Sequence, residues 1–437
     1  MAKKAVAGLA AFAATAIALS GCSAGGTNDA TNTIDGEVKG DLKVVTWRTD
    51  LVENGTFEAY AEEFNKEYPD VTVTFEGITD YEGEMKTRLS STNYGDVIGI
   101  PTMQPSQFEQ FLEPLGDTED FRERYRFLNT HTFDGTQYGL AIGGNAQGVL
   151  YNKRVFEDAG VTELPKTPEE FLEALQQVKD NTEAIPLYTN YKDGWPLSQA
   201  FSNLGSITND PDAGIHMAKN DAPWTEGTDI YTIDSLLFDA VAAGLTEPDP
   251  LTTNWEQSKI DIATGKIATM TLGSWSISQM QAAAEDNGAA AEDIGYMAFP
   301  SNVDGTQYSI IGGDYNLGIS KHSKSKAAAW AWIQWLIEDS GFTEKEGMIS
   351  TVAAKDLPAN LDDFTAENVE LMETNPAPAG EESLLNDVSN DSQIDLWGAI
   401  YRQKLVDIAR GAAEGDKESY FAELNERWAA SVASLAG

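Results

Sequence analysis

The stretch 265–280, GKIATMTLGSWSISQM, places the strongest constraint on how this chain can fold. Its first half, 267–272, is short and apolar or β-branched, which reads as a strand buried on both faces. Gly273 and Ser274 then turn the backbone, Trp275 stands at the mouth of the turn, and Ser276 is placed to cap a following helix. A strand that ends in a small-residue turn belongs in an open α/β sheet, and such sheets bind ligands at the carboxyl edge of their strands. From this stretch alone Trp275 has two readings: a ring that fills the core, or a ring presented to a ligand.

The rest of the chain repeats the alternation. Strands are expected at 42–47, 71–75 and 96–100, and strand-like pieces at 138–142 and 148–151 flank a loop containing Gly143, Gly144 and Asn145. Phe57, Tyr60, Ala61 and Phe64 fall at i, i+3, i+4 and i+7, one apolar helix face that stops before Pro69. A short helix is expected over 85–91. Thr167-Pro168-Glu169-Glu170 has the residues of a helix start, and Phe171, Leu172, Leu175 and Val178 supply its apolar face. Ala329, Trp332, Ile333 and Leu336 mark a later amphipathic helix whose tryptophans are assigned to packing. The alternation predicts an α/β architecture with largely parallel sheets. The roughly 400 residues after 41 are enough for two domains.

The beginning of the chain concerns location. Lys3 and Lys4 precede an Ala-rich apolar run too short for a membrane span, so 1–21 reads as a secretory signal peptide. The run ends in Leu19-Ser20-Gly21-Cys22, which resembles the bacterial lipoprotein box and implies cleavage before Cys22 and acylation of its thiol. Cys22 is the one cysteine of the sequence, so no disulfide forms within the chain. Residues 22–40, rich in Gly, Thr, Asn and Asp, read as a flexible tether from that lipid anchor at the outer face of the cell membrane.

Acidic residues number 70 against 29 basic ones, a formal net charge of −41. Such a chain repels nucleic acid and favours a neutral or cationic ligand. His131, His216 and His322 have no partner at metal-ligand spacing, and no phosphate loop, dinucleotide fingerprint or Gly-x-Ser-x-Gly elbow occurs. Neither a metal nor a cofactor is expected. A glycoside hydrolase would need two placed carboxylates, and none of the acids has a distinguishing context.

What remains is a set of aromatic and polar residues at expected strand ends and loops. Trp47, Arg48 and Asp50 follow the first strand, Thr102 and Gln104 the third. Asn145 lies in the glycine loop, Tyr191 and Trp195 follow 185–188, Gly313 and Asp314 follow 308–311, and Trp397 ends Ile394-Asp395-Leu396-Trp397. Flat rings beside carboxamides and carboxylates suit sugars, whose C–H faces pack on rings while their hydroxyls hydrogen-bond.

With these motifs in order, the chain resembles the bacterial extracellular solute-binding proteins of family 1, the maltose- and oligosaccharide-binding lipoproteins of ABC importers. The resemblance rests on 138–141 with 150–160, on Pro165-Lys166-Thr167-Pro168-Glu169-Glu170-Phe171, on 265–275, and on 311–313 with 327–332. It implies a two-lobed, type II periplasmic-binding-protein-like fold with the ligand cleft between lobes. Lobe one would comprise 41–144 and 300–340, lobe two 145–299 and 341–437. Trp275 and Trp397 match the family's stacking tryptophans. Asn145 falls where maltose-binding relatives carry an acidic contact, Ile100 where they carry a tryptophan, and Met103-Gln104 where they carry a charged pair, so a glycan other than maltose is implied. The expected function is capture of an oligosaccharide by lobe closure and delivery to permease subunits, by a monomer that catalyses no reaction. Two alternatives stand beside it: a binding protein for a cationic solute, with the aromatics as a cage, and a secreted glycoside hydrolase.

Overall fold

The computed structural model describes residues 32–362, 364 and 368–435. The expected signal peptide and Cys22 lie outside the described residues. The tether expected to run to 40 is already docked from Asn32 onward. The Asn32 carboxamide donates to the Ser323 carbonyl at 2.9 Å and accepts from Lys326 N–H at 3.2 Å, and Ile34 and Val38 pack on the first core.

The strands are β1 (Gly40–Thr46), β2 (Val71–Gly77), β3 (Val97–Gly99), β4 (Gly116–Asp117), β5 (Thr132–Phe133), β6 (Thr136–Gln137), β7 (Gly139–Asn152), β8 (Ile185–Leu187), β9 (Ile267–Gly273), β10 (Ile294–Ala298), β11 (Gln307–Ile319), β12 (Ile349–Ser350) and β13 (Val369–Glu373). Strands β4, β6 and β5 form a small separate sheet, and the others join in the order β2-β1-β3-β11-β7-β9-β8, with β10 and β12 on β7 and β13 on β11. The sheet is mixed rather than largely parallel. β1 runs parallel to β2 and β3, and β8 to β9, but β11 is antiparallel to both β3 and β7, and β7 is antiparallel to β9 and β10.

The first core forms on both faces of β1 because its side chains alternate. Leu42 and Val44 face one cluster and Val45 another. The helix Thr56–Glu67 buries Phe57, Tyr60, Ala61 and Phe64 against the first, as its spacing predicts. The helix Lys326–Glu338 joins it there, with Trp332 and Trp335 edge-on to Phe64 at 5.3 and 5.6 Å. Phe342 and Met348 complete this core, so chain beyond the expected boundary at 340 belongs to the first half of the molecule. The helix expected at 85–91 starts earlier, at Tyr81–Arg88, because the Asp80 carboxylate caps it.

The second half is built around β8, β9, β10 and the latter part of β7. The helix Pro168–Asn181 starts where expected, capped by the Thr167 hydroxyl, and buries Phe171, Leu175 and Val178. A further helical layer packs Leu405, Tyr420, Phe421, Leu424 and Trp428 around Trp224. Its centre holds a fully buried ion pair, Arg402 with Asp234 at 3.0 Å. Among the described residues no helix is long and apolar enough to cross a membrane, and no group of three or more His, Cys, Asp or Glu is placed to hold a metal ion.

Two strands tie the halves together. The first part of β7 pairs with β11, from Gly139 with Gly318 to Ala146 with Ile311; its second part pairs with β9 and β10, from Gln147 with Gly273 onward. The glycine loop expected at 143–147 is therefore continuous strand, and so is Gly312-Gly313-Asp314, expected to lie just past a strand end at 311. The glycines permit close packing rather than a break. A Cβ on Gly144 would lie 2.3 Å from Phe127 Cζ, and one on Gly313 would lie 2.7 Å from the Cβ atoms of both Ala141 and Phe127.

Candidate functional site

Strand β9 ends at Gly273, and Ser274 locks the turn onto β7. The Ser274 N–H donates to the Ala146 carbonyl at 2.8 Å, and its hydroxyl accepts from Ala146 N–H at 3.0 Å. Below it, the buried Tyr296 hydroxyl hydrogen-bonds the carbonyls of Ala146 and Leu272. The helix that follows begins at Trp275 with Ser274 as its N-cap; Ser276, expected as the cap, instead donates to the Gly273 carbonyl. The Trp275 ring lies so close over Gly273 that a Cβ there would be 2.7 Å from its Cδ1 and Nε1.

Trp275 does not stand alone. Its ring centroid is 5.9 Å from Trp195 and 5.9 Å from Trp255, and those two meet edge-on at 4.8 Å. Trp195 is 39 % exposed at the start of a helix that follows Gly194, whose φ is +79°. Trp255 begins the helix Trp255–Ala263 under an Asn254 cap, with the Lys259 ammonium 5.1 Å from its ring centre. Trp255 escaped the sequence reasoning because it opens a helix after a polar loop, with no strand end beside it to mark it.

Asn145 and Gln147, two residues apart on β7, share one face. The Asn145 carboxamide donates to Asp314 Oδ2 at 3.1 Å. Its oxygen, like the Gln147 side-chain oxygen, is buried with no hydrogen-bond partner. The Gln147 oxygen is 3.4 Å from where a Gly273 Cβ would stand, beside Trp275. Buried polar atoms are rarely left unpaired, so two such acceptors where the halves join mark a place where a donor belongs. Burial pushes the Asp314 carboxyl up, opposed by the hydrogen bonds it accepts from Tyr315 N–H and Asn145.

In the first half, Trp47 closes β1 and leans over Gly99, with its ring 5.1 Å from Tyr81 and 5.7 Å from Tyr315. The Arg48 guanidinium is occupied within this half. It holds both oxygens of Asp50 at 2.9 and 2.8 Å and Glu346 at 3.0 Å, above the Tyr315 ring at 5.1 Å. The hydrogen bond from Arg48 holds the Asp50 carboxyl below its ordinary range. Asp50, expected as a hydroxyl partner, is thus paired with Arg48, which also holds Glu346.

Thr102 and Gln104 line the rim on the other side of the strand edge. Thr102 N–H donates to the Glu82 carboxylate at 3.1 Å, and the Gln104 carboxamide oxygen accepts from the Ser383 hydroxyl at 3.0 Å, joining lobe-one chain to the segment before the helix Leu384–Asp391. Here lies a cavity of about 550 Å³, between 100–135 and 376–386; Thr102, Phe108, His131, Phe133 and Asn386 are in its wall, and none of the tryptophans is. Burial pushes the His131 imidazole down to about 4, so that ring is uncharged at neutral pH, while Asp117, Glu119, Arg122, Asp134 and Glu382 bring charge to the same wall.

Trp397 is 49 % exposed and edge-on to Phe201 at 5.5 Å, apart from the Trp275 group. Its segment touches the Trp195 loop, since a Cβ on Gly194 would be 3.1 Å from that of Ala399. Tyr191 is not brought to the site. Its ring packs with Leu197, Val241 and Val406, and its hydroxyl donates to Asp407 at 3.0 Å.

The model of the bacterial extracellular solute-binding protein family matches residues 49–341. The chain is 24 % identical over 297 residues to a multiple sugar-binding protein of Streptococcus mutans, covering 65 % of this chain and 68 % of that one. It is 25 % identical over 325 residues to a diacetylchitobiose-binding protein of Streptomyces coelicolor, covering 72 % of each. Among solved structures, it is similar to a manno-oligosaccharide-specific solute-binding protein of Bifidobacterium animalis subsp. lactis in complex with mannotriose. That match has a TM-score of 0.80 and 35 % identity, over 91 % of this chain and 95 % of the other. A second binding protein of that organism, with mannobiose, gives a TM-score of 0.81 and 36 % identity over the same shares.

Proposed function

This chain belongs to the bacterial extracellular solute-binding protein family and has its two-lobed, type II fold, and from that premise we propose that it captures a short neutral oligosaccharide between its lobes and hands it to an ABC importer. One observation carries the sugar reading. A cluster of three tryptophans stands beside Gln147, whose carboxamide oxygen is unpartnered, and Asn145, whose oxygen is likewise unpartnered, lies two residues away on the same face of β7. Sugar hydroxyls supply the missing donors, and the rings pack on the C–H faces.

A manno-oligosaccharide is the first class to test, because the solved relatives at 35 and 36 % identity are bound to mannotriose and mannobiose. The cationic-solute alternative is separated from it by salt dependence: the Lys259 ammonium beside the tryptophans is already paired with Glu256, and Arg48 with Asp50 and Glu346, so local charge does not choose between the two readings. The protein acts by binding alone. The glycan stabilises the closed form only as far as it touches both lobes, and the closed form docks on the permease.

In this reading lobe one holds 41–144 and 300–348, lobe two holds 145–299 and the C-terminal helices, and Cys22 carries the lipid that keeps a monomer at the outer face of the membrane. Replacing Cys22 by Ser should release the protein into the medium; a variant that stays with the membrane contradicts the anchor. For the ligand, a thermal-shift screen against neutral oligosaccharides and cationic solutes decides, since a ligand of the folded state raises the melting temperature. Shifts with one glycan class, recovered intact, support capture. Shifts with cations only, or cleavage of the glycan, replace it.

A further inference from the structure

Gly144 on β7 and Gly313 on β11 stand directly opposite each other in the ladder that joins the halves. Glycine weakens a strand interior and marks a place where another group approaches closely. Here that group is Phe127. A Cβ on Gly144 would lie 2.3 Å from Phe127 Cζ, and one on Gly313 would lie 2.7 Å from Phe127 Cβ.

Phe127 is held there against its own backbone preference. Its φ is +65°, a left-handed conformation that a bulky residue rarely adopts and that persists only where the surroundings over-determine it. They do so on both sides. Phe127 N–H donates to the Glu373 carboxylate at 2.7 Å, at the end of β13, which is itself paired with β11. Arg126 N–H donates to the Thr351 carbonyl at 2.8 Å, and its guanidinium donates to the carbonyls of Ser350 at 2.9 Å and Ala353 at 2.8 Å. The buried ring packs in the core that contains Ala146, Leu272 and Tyr296, the residues beneath the Ser274 turn. The next residues along the two strands are Asn145 and Asp314, whose side chains hydrogen-bond each other.

We propose that Phe127 is a positioning residue of the site: wedged on Gly144 and Gly313, its ring sets the spacing of β7 and β11 at which the Asn145 carboxamide reaches Asp314. Phe127 acts on a ligand only through Asn145. The contact it sets is 3.1 Å long, and a shift of about 0.5 Å takes such a pair out of hydrogen-bonding distance. Close-packed interiors transmit changes as small as one methylene, so the ring is large enough to control it. The role rests on the sugar-binding reading above.

The test is a double-mutant cycle read by calorimetric titration with mannotriose, with melting of each unliganded protein beside it. Phe127→Leu is expected to weaken binding by about fivefold or more, and by less than about twofold when Asn145→Ala is already in place. A ring that only fills the core would lower the melting temperature and change affinity equally, or not at all, in both backgrounds. Gly144→Ala presses on the same ring from the strand and carries the same cycle should Phe127→Leu not fold; it too is expected to cost affinity only while Asn145 is present. Equal losses with and without Asn145, or wild-type affinity in these variants, overturn the proposal and leave the sugar-binding reading standing. A wild-type protein that binds neither mannotriose nor any other neutral oligosaccharide removes that reading, and the role of Phe127 with it.

Discussion

The carboxamide of Asn145 on β7 donates to the carboxylate of Asp314 on β11, at 3.1 Å, across the two strands that join the lobes. The bond fixes the carboxamide through its nitrogen and leaves the Asn145 oxygen buried with no protein partner. Asn145→Ala removes both the bond and the acceptor. Glycan affinity is expected to fall by about tenfold or more, with the circular-dichroism spectrum unchanged. Calorimetry that returns wild-type affinity removes Asn145 from the site.

Trp275 depends on Gly273 beneath it. Trp275→Ala should weaken glycan binding by more than about tenfold while the protein stays folded. Gly273→Ala should do nearly the same with the indole still present, because its Cβ would stand 2.7 Å from the ring and push it aside. Tryptophan fluorescence of the unliganded Gly273→Ala protein should shift as the ring moves. An unshifted spectrum with full affinity would contradict this account of the platform.

How much of this was legible in the sequence varies by element. The helix faces of Phe57–Phe64 and Phe171–Val178 and the strand before Trp275 could be read directly, because each pattern has the period of its structure and a flanking cap or glycine. The continuity of β7 and β11 could not. Gly143, Gly144 and Gly313 look like turn residues locally, and only contacts distant in sequence, Gly143 with Thr343 and Met348, Gly144 with Phe127, and Gly313 with Phe127 and Ala141, show why a strand needs them. Tyr191 and Trp195 looked equivalent beside one strand end, but the Asp407 partner that draws Tyr191 into the lobe is far along the chain. The same limit hid Trp255, whose place beside Trp195 and Trp275 comes from neighbours elsewhere in the chain.

Glu247 gives the second lobe a pH dependence. Burial pushes its carboxyl up to about 6 from an ordinary 4.5, against hydrogen bonds from the Thr189 N–H and hydroxyl that favour the charge. Between those values the native protein binds more protons than the unfolded chain, so stability falls as pH rises through this window and is level above it. The loss is about 2 kcal/mol. Glu247→Gln should therefore be more stable than wild type at neutral pH, with the advantage gone near pH 4.5. Denaturant unfolding at both pH values checks this, and an advantage independent of pH would contradict it.

The buried pair Arg402–Asp234 ties down the segment that carries Trp397. Trp224 donates its indole N–H to Asp234 at 2.8 Å, and Arg402 donates to the carbonyl of Leu396, next to Trp397, at 3.1 Å. Removing one partner strands a charge in the interior. Asp234→Ala should cost about 3–5 kcal/mol in urea unfolding, and Asp234→Ala with Arg402→Met should recover part of that. A single variant within about 1 kcal/mol of wild type would contradict the role given to the pair.

The most direct test of the central claim is calorimetric titration of the purified protein with mannotriose at low ionic strength and again at about tenfold higher salt. Capture of a neutral glycan predicts saturable binding, an affinity that salt leaves almost unchanged, and mannotriose recovered whole. Contradiction would be no binding by any neutral oligosaccharide, while cationic solutes bind with an affinity that falls as salt rises.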